Sequence, residues 1–581
     1  MAIFSPNLRR MAAQSAGLLV LFGSLSVARP QAVPTDASGG CPIPAATVAG
    51  MFQSGTVTLN GVAKAADSTQ SLVPDCGFFQ WAEQMYLWVT SPAPASYGGG
   101  SRIMFSPKFY TVTPEVSGRR QFLVNQPGRP LVMALRKTEL GPHNLPSLIS
   151  KSGHVIEVQP APAGKAALPM VRLENGQQVQ LGSVQKQPDG TLRFLDKAGA
   201  TVQVQKLNLP TIVRQRIELT PEHPTPVVPV QAFQTAILAR KFVLNKIPIF
   251  LDGNGNVIDV EPGQADNGVL LSQGNSLIYY ITAVNDVYAF HRSMQIPGVI
   301  PPTTTINFPM TSADANAVKT FAAGKGHTIP EPLALAVETK SSWIEATAVM
   351  NPGDYLQETA VVPTYNKTSP DTWTPSGQKT VKLVMVGIHV VGSTNGHGEM
   401  VWASFEHLGN APDAMYTYAS TSGAKNVPQN TSGTWIFTPS GSTGPFNVTH
   451  ATLDPMSGSI NGVPATMPIA NTPVLRMKAW GSDPNDSFHN TEVISANASI
   501  LSQLKAGDVR RNYFQIGTTW TTFGQAPNGG NEVGTNQLAN ATIETFQQAS
   551  SPTSSGSNCF DCHVTNHVAV SHVYRELQPL P

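Results

Sequence analysis

The chain has 581 residues and a net charge of +1 with no long run of one sign, which argues against nucleic acid or an acidic membrane surface as its main partner. Only 13% of residues are charged, about half the share usual in globular domains, while Gly numbers 49 and Pro 48. That balance argues against a helix-rich cytosolic enzyme and points to an exported protein of strands and turns, with Ser, Thr and Asn on its surface.

The opening stretch, MAIFSPNLRRMAAQSAGLLVLFGSLSVARP, places Arg9 and Arg10 ahead of an apolar run that reaches Val27, then a small-x-small step at Ser26-Val27-Ala28. This is the layout of a cleaved export signal over residues 1–28. The apolar part is too short and interrupted to stay in a bilayer, so no transmembrane segment is expected after cleavage. The apolar residues that should directly follow a twin-arginine signal are missing, which favours the general export route. Cys41 lies well past the apolar run and lacks a preceding Leu, so it is a poor lipid-attachment site. A periplasmic or secreted location follows, and there Cys41 and Cys76 are expected to form a disulfide. Closing a loop of that length stabilises a fold by roughly 3–4 kcal/mol in the chain-entropy description.

Residues 29–546 read as a mainly β body. CGFFQWAEQMYLWVT at 76–90 is the best helix candidate, with Phe79, Met85, Tyr86 and Val89 near helical spacing and SPAP to stop it. From about 150 to 260, short Val/Leu/Gln runs alternate with Asn-Gly, Asp-Gly and Lys-Ala-Gly steps that mark hairpins. LDGNGNVIDVE offers Asp252, Asn254 and Asn256 to a calcium ion. However, Val257 stands where the loop needs Gly, and Gly263 where it needs a bidentate acid, so a hairpin turn is favoured.

SLIYYITAV, ALAVETKSSWIEATAV, KTVKLVMVGIHVVGS and EMVWASFEHLG carry the β-branched and aromatic density of strands. MTSADANAVKTFAA at 310–323 reads as a capped surface helix, and 420–480 as loops and short strands. Glu338 and Lys340, two apart on one strand, share a face and can pair. His389, His397, Glu399, Glu406 and His407 surround a hairpin; Glu406 shares a face with Trp402 and Ser404, whereas His407 points the other way with Phe405. A metal or acid/base site needs several of these on one face, so a hydrogen-bonded network that fixes the hairpin is favoured. The fold class is therefore mainly β (α+β), a large antiparallel body with a few helices. A flexible Ser/Gly-rich connector at 547–558 leads to a short terminal segment, 559–581.

That segment holds the chemistry. Cys559-Phe560-Asp561-Cys562-His563 is the attachment signature of c-type haem. Two thiols three positions apart meet the two vinyl groups along one porphyrin edge, and the next residue sets its imidazole under the iron, making His563 the proximal ligand. Attachment also needs export, which the amino terminus supplies. A zinc site from Cys559, Cys562, His567 and His572 is disfavoured by the short gap between the second Cys and the first His. A dithiol redox pair belongs at a helix start within a βαβ unit, not after a Ser/Gly linker. A plain Cys559–Cys562 disulfide is the remaining alternative.

For the second axial position no Met follows His563. On a helix His567 projects from the same face as His563 and cannot bind the opposite side of one iron. His572 lies nine residues on, and a chain of that length reaches up to about 30 Å, far enough to round the porphyrin edge. So few residues cannot enclose a macrocycle, so the haem is expected to dock on the body, and the His389–His407 network and Glu338/Lys340 become candidates for lining that dock.

The stretches CGFFQWAEQMYLWVTSP, GNSLIYYITAVNDVYAF, VETKSSWIEA, VGIHVVGSTNGHGEMVWASFEHLGNAPD, NYFQIGTTW, LANATIETF and CFDCH…VSHVY, in order over 76–574, resemble a family of exported bacterial cytochrome c family proteins. The resemblance implies one covalent haem c and includes the His of the terminal Ser-His, here His572; it brings no substrate with it. Three functions compete. Electron transfer needs a six-coordinate iron and a redox partner protein or a small-molecule electron donor or acceptor. A peroxidase or oxygenase needs an open iron under a substrate pocket in the body. A binding module would use the haem as a sensor or staple.

Overall fold

The computed structural model describes residues 32–128, 267–295, 306–454, 458–555, 558–563 and 571–580, with breaks at Pro74, 114–119, Gln121 and His572, together with Ile300, Thr201 and isolated strands between 131 and 258. The expected export signal lies outside the described residues. Among those described, no helix is long and apolar enough to cross a membrane.

The antiparallel, mainly β body expected from the sequence is what the structure contains. Twelve strands form one curled sheet: β1 (Phe109–Val112), β2 (Phe122–Val124), β3 (Leu131–Val132), β4 (Tyr279–Asn285), β5 (Val337–Glu345), β6 (Gln357–Asn366), β7 (Thr372–Thr394), β8 (His397–His407), β9 (Ala451–Leu453), β10 (Ile460–Gly462), β11 (Tyr513–Thr521) and β12 (Glu532–Gly534). Their main path runs β2–β1–β4–β5–β7–β8–β11–β12. The long β7 pairs with β6 along its first half, with β5 and β8 along its second, and with β10 at its start. Around the helices are α1 (Ala45–Gly50), α2 (Cys76–Val89), α3 (Asp286–Met294), α4 (Ser312–Gly324), α5 (Ser487–Gln503) and α6 (Cys559–Cys562). The hairpin expected at 247–258 forms: Phe250 pairs with Ile258 and Leu251 with Val257 across the stretch that resembled a calcium loop.

The near face of the sheet, through Val337, Trp343, Ile388, Val390, Val401, Ala403 and Phe405, joins one large core with α2 and α5. Helix α2 is buried nearly all round. Phe78 stacks on Trp520 at 3.9 Å and Tyr86 on Phe405 at 4.4 Å. It ends because Thr90 and Ser91 hydroxyls donate to the Tyr86 and Leu87 carbonyls, at 2.6 and 2.7 Å, before Pro92 blocks another turn. Helix α4 starts at a Thr311/Asp314 capping box and buries only Ala315, Val318 and Ala322, as a surface helix should.

Helix α5 was not legible as a helix. Its buried residues include Asn490, Thr491, Glu492, Ser495 and Asn497, so it lacks an apolar stripe. Those side chains instead bond the backbone of flanking segments: Asn497 exchanges hydrogen bonds with the Gln515 main chain at 2.8 and 2.7 Å, and Ser495 Oγ accepts from Cys41 N at 2.7 Å. The expected Cys41–Cys76 disulfide is formed, with Cα atoms 5.0 Å apart, and ties the amino-terminal segment to the start of α2.

Two outcomes follow. A Cys41→Ser/Cys76→Ser variant loses about 3–4 kcal/mol of unfolding free energy, measured by urea denaturation. Glu83 is buried within α2, its Oε1 has no partner among the described residues, and burial pushes its carboxyl from 4.5 up to about 8. A raised acid costs nothing below its unfolded value and its full penalty above its folded one. Glu83→Gln therefore matches the wild type below about pH 4.5, gains on it through the interval, and is more stable by on the order of 4 kcal/mol above about pH 8, read from urea midpoints across pH.

Candidate functional site

The far face of the sheet carries the tail. Two rows cross it: Val284, Glu338, Val391 and Trp402 lie side by side, and next to them Lys340, His389 and Ser404. Trp402 and Met400, both buried and two apart on β8, join Val284 and Val391 in an apolar cluster with Phe560, Val573, Tyr574 and Leu577 of the terminal segment. The terminal polypeptide thus packs on the body through the protein's own side chains.

Helix α6 is a single turn, closed by His563 N donating to the Cys559 carbonyl at 3.0 Å. Cys559, Cys562 and His563 therefore stand at the i, i+3 and i+4 positions of one turn. The His563 ring lies 4.2 Å from the Trp402 ring, and Phe560 meets the same indole edge-on at 6.4 Å. Trp402 Nε1 is buried with no hydrogen-bond partner among the described residues. The residue types suit a covalently held iron porphyrin: two cysteines and a histidine on one turn, with Cys559 and the His563 ring against an apolar wall that offers an unspent N–H. The side chain of Cys562, and all of His567 and His572, lie outside what the structure describes.

Downstream of the site the chain is pinned closely. Ser571 Oγ lies 2.5 Å from Glu338 Oε2 and 2.7 Å from the Tyr288 hydroxyl. Burial pushes the Glu338 carboxyl up, opposed by the Ser571 bond and by Arg120 and Lys340. Glu338 thus takes its hydrogen bond from the tail, while Lys340 sits over the Tyr280 ring at 5.6 Å. Burial lowers His291 to about 4, its Nδ1 lies 2.6 Å from the Tyr574 hydroxyl, and Arg292 Nε donates to the Tyr574 carbonyl at 3.0 Å. Arg120 pairs with Glu576 at 2.6 Å, and Leu580 N donates to Ser293 Oγ at 2.8 Å.

Upstream, residues 538–547 fold into a compact turn keyed into the same sheet face. Asn540 Nδ2 donates to Ser404 Oγ at 3.0 Å, Thr542 Oγ1 meets Ser342 Oγ at 2.8 Å, and Ala541 N donates to Glu406 Oε1 at 2.6 Å. Both Glu544 carboxylate oxygens lie 2.9 Å from His389 Nε2. Burial works to raise Glu544, but His389, Lys340 and the Asn540 amide overcome it and hold the carboxyl below its ordinary value. Gly387 makes room: a Cβ there would lie 2.4 Å from Thr542 Oγ1. The connector that follows also touches the body, through Gln548 Oε1 accepting from Met477 N at 2.9 Å and the Pro552 carbonyl accepting from Lys478 at 2.7 Å.

The five polar residues around the β7–β8 hairpin do not converge. His397 faces Glu399 at 2.7 Å, Glu406 takes Arg476 at 2.8 Å, and His407 stacks on Tyr355 at 3.8 Å on the opposite face. They are separate anchors, and of the five, His389 and Glu406 reach the turn that leads to the tail, through Glu544 and the Ala541 amide. Sequence reasoning assigned no role to Glu544, Ser571 or Tyr574; their one trace is that they fall inside the stretches LANATIETF and VSHVY. A separate cleft of about 370 Å³ is lined by residues including Asn60, Arg102, Tyr355 and Arg510, and by none of the tail. No protein-family model, curated protein or solved structure matches the chain.

Replacing Glu544 by Gln leaves His389 without its carboxylate and lowers stability at neutral pH by about 1–3 kcal/mol. Because the folded carboxyl is held low, the gap is full above the ordinary value of 4.5 and closes as pH falls through the folded value; urea unfolding at several pH values reads it.

Proposed function

We propose that this chain is an exported monohaem c-type cytochrome acting in electron transfer. Its haem would be joined to Cys559 and Cys562, and its iron would be held by His563 and His572. When bound, the group supplies an iron that exchanges one electron between ferrous and ferric states. The seat of the attachment turn carries the proposal: His563 lies against Trp402 in an apolar cluster that β8 and the last residues of the chain build together.

In this arrangement Trp402 orients the His563 ring and keeps water from one side of it. The buried, unpartnered Trp402 N–H would be a donor for a propionate or another polar group of the haem. Ser571 and Val573, the neighbours of His572, are both buried against the body, which favours a fixed ligand over a solvent-exposed one. Formation of the Cys41–Cys76 bridge suits an oxidising compartment such as the periplasm. The partner would be a redox protein or a small electron donor or acceptor that approaches the haem edge.

The test is an absorption spectrum of mature protein from a host with haem-attachment machinery, with and without reductant, then with carbon monoxide. A low-spin spectrum indifferent to carbon monoxide is expected, together with the mass of one haem that a Cys559→Ala/Cys562→Ala variant lacks. His572→Ala should turn high-spin and bind carbon monoxide. A spectrum that stays low-spin in that variant moves the second ligand to the body, where Met400 shares the Phe560 cluster. Colourless protein with unmodified thiols sinks the haem, and resting protein that binds carbon monoxide points to the oxygenase class.

A further inference from the structure

The Cys41–Cys76 bridge has chemistry beside it that a mechanical crosslink does not need. Its sulfurs differ: Cys41 is fully buried, whereas Cys76 is only partly buried and opens α2, whose amino terminus has no side-chain cap. Glu492, on the buried side of α5, sets Oε1 3.7 Å from Cys41 Sγ. A bridged sulfur has no proton to give, and among the described residues no other group hydrogen-bonds that carboxyl.

The approach is built into the backbone. Gly40, at a φ of 70°, presses on α5 so closely that a Cβ would lie 2.6 Å from Thr491 O and from Ser495 Oγ. Cys41 N then donates to Ser495 Oγ at 2.7 Å, which fixes the sulfur against the helix. Burial pushes the Glu492 carboxyl from 4.5 up to about 7, against His489, with Asp75 before α2 and Asp486 adding to the rise. The group therefore carries a proton in mildly acidic solution and surrenders it near neutrality.

We propose that Cys41–Cys76 is an exchangeable disulfide whose partner is a dithiol, with Cys76 the sulfur attacked and Glu492 the acid that serves Cys41. One thiolate of the dithiol bonds to Cys76 Sγ, the S–S bond breaks towards Cys41, and the departing Cys41 thiolate takes the Glu492 proton. The dithiol's second thiolate then attacks its own sulfur in the mixed disulfide and releases Cys76 as a thiolate, which the α2 amino terminus stabilises. The dithiol loses two electrons and the bridge gains them. The two protons given up by the dithiol end on Cys41, by way of Glu492, and on Cys76 or solvent. This activity is independent of any group on the tail.

The test uses folded full-length protein with excess dithiothreitol, quenched by an alkylating reagent and scored by mass. Divided by the thiolate concentration of the reductant, the wild-type rate should fall about tenfold from about pH 6 to about pH 8, and Glu492→Gln should be flat and about tenfold slower at the acid end. The oxidised Glu492→Gln protein should keep the wild-type melting temperature near pH 6, because Gln mimics the protonated acid. As a second measurement, the Cys76 thiol of Cys41→Ser should react with an aromatic disulfide reagent at least about tenfold faster than the Cys41 thiol of Cys76→Ser. A bridge that resists dithiothreitol until urea unfolds the chain overturns the proposal. So does a wild-type rate and pH profile in Glu492→Gln, or a faster Cys41 than Cys76.

Discussion

The far face of the sheet presents Ser342, Glu406 and Ser404 fully buried, and His389 nearly so, on strands whose backbone groups are already used in the ladder. Each buried polar side chain left unpaired there would cost about 1–3 kcal/mol. Neighbouring strands supply more side chains of the same face rather than complementary partners above it. The 538–547 turn does supply them, through Thr542, Ala541, Asn540 and Glu544 in turn. This interlock holds the turn to one place on the face and so fixes where the rest of the chain can go.

From that turn the connector stays on the body, and α6 comes down beside Trp402 where the polar row gives way to an apolar one. The last residues then close the same cluster from the other side through Val573, Tyr574 and Leu577, held by α3 side chains His291 and Arg292. Asn285 makes this possible. It ends β4, caps α3 by accepting from Tyr288 N at 3.0 Å, and also accepts from Val337 N at 3.0 Å, so strand, helix and neighbouring strand meet at one side chain. The short turn that carries Cys559 and His563 is thereby held from both directions along the chain.

The near face uses a different logic. Helix α2 is apolar on almost every side and wedges between sheet and α5, while α5 buries amides and hydroxyls that bond passing backbone. Cys41 sits in that polar groove of α5, and its bridge to α2 joins the two kinds of helix. A carboxyl brought close to sulfur in the same groove is what turns a tie into a candidate reactive centre.

Local patterns were readable wherever neighbours in sequence are also neighbours in space. The strands 276–284, 334–349, 379–393 and 399–409, the α2 helix with its Pro stop, the α4 cap and the hairpin within 249–260 all follow from side-chain periodicity and turn chemistry. Cysteine placement also pointed to the Cys41–Cys76 pair, which the structure contains. What the tertiary structure alone decided is every pairing that crosses hundreds of residues: His389 with Glu544, Glu338 with Ser571, Trp402 with His563, Cys41 with Glu492. Polar side chains such as these carry no period, because their partners are set by how a curled sheet brings distant strands and loops together, and a hydrogen bond across 155 or 451 positions leaves no mark in either stretch by itself.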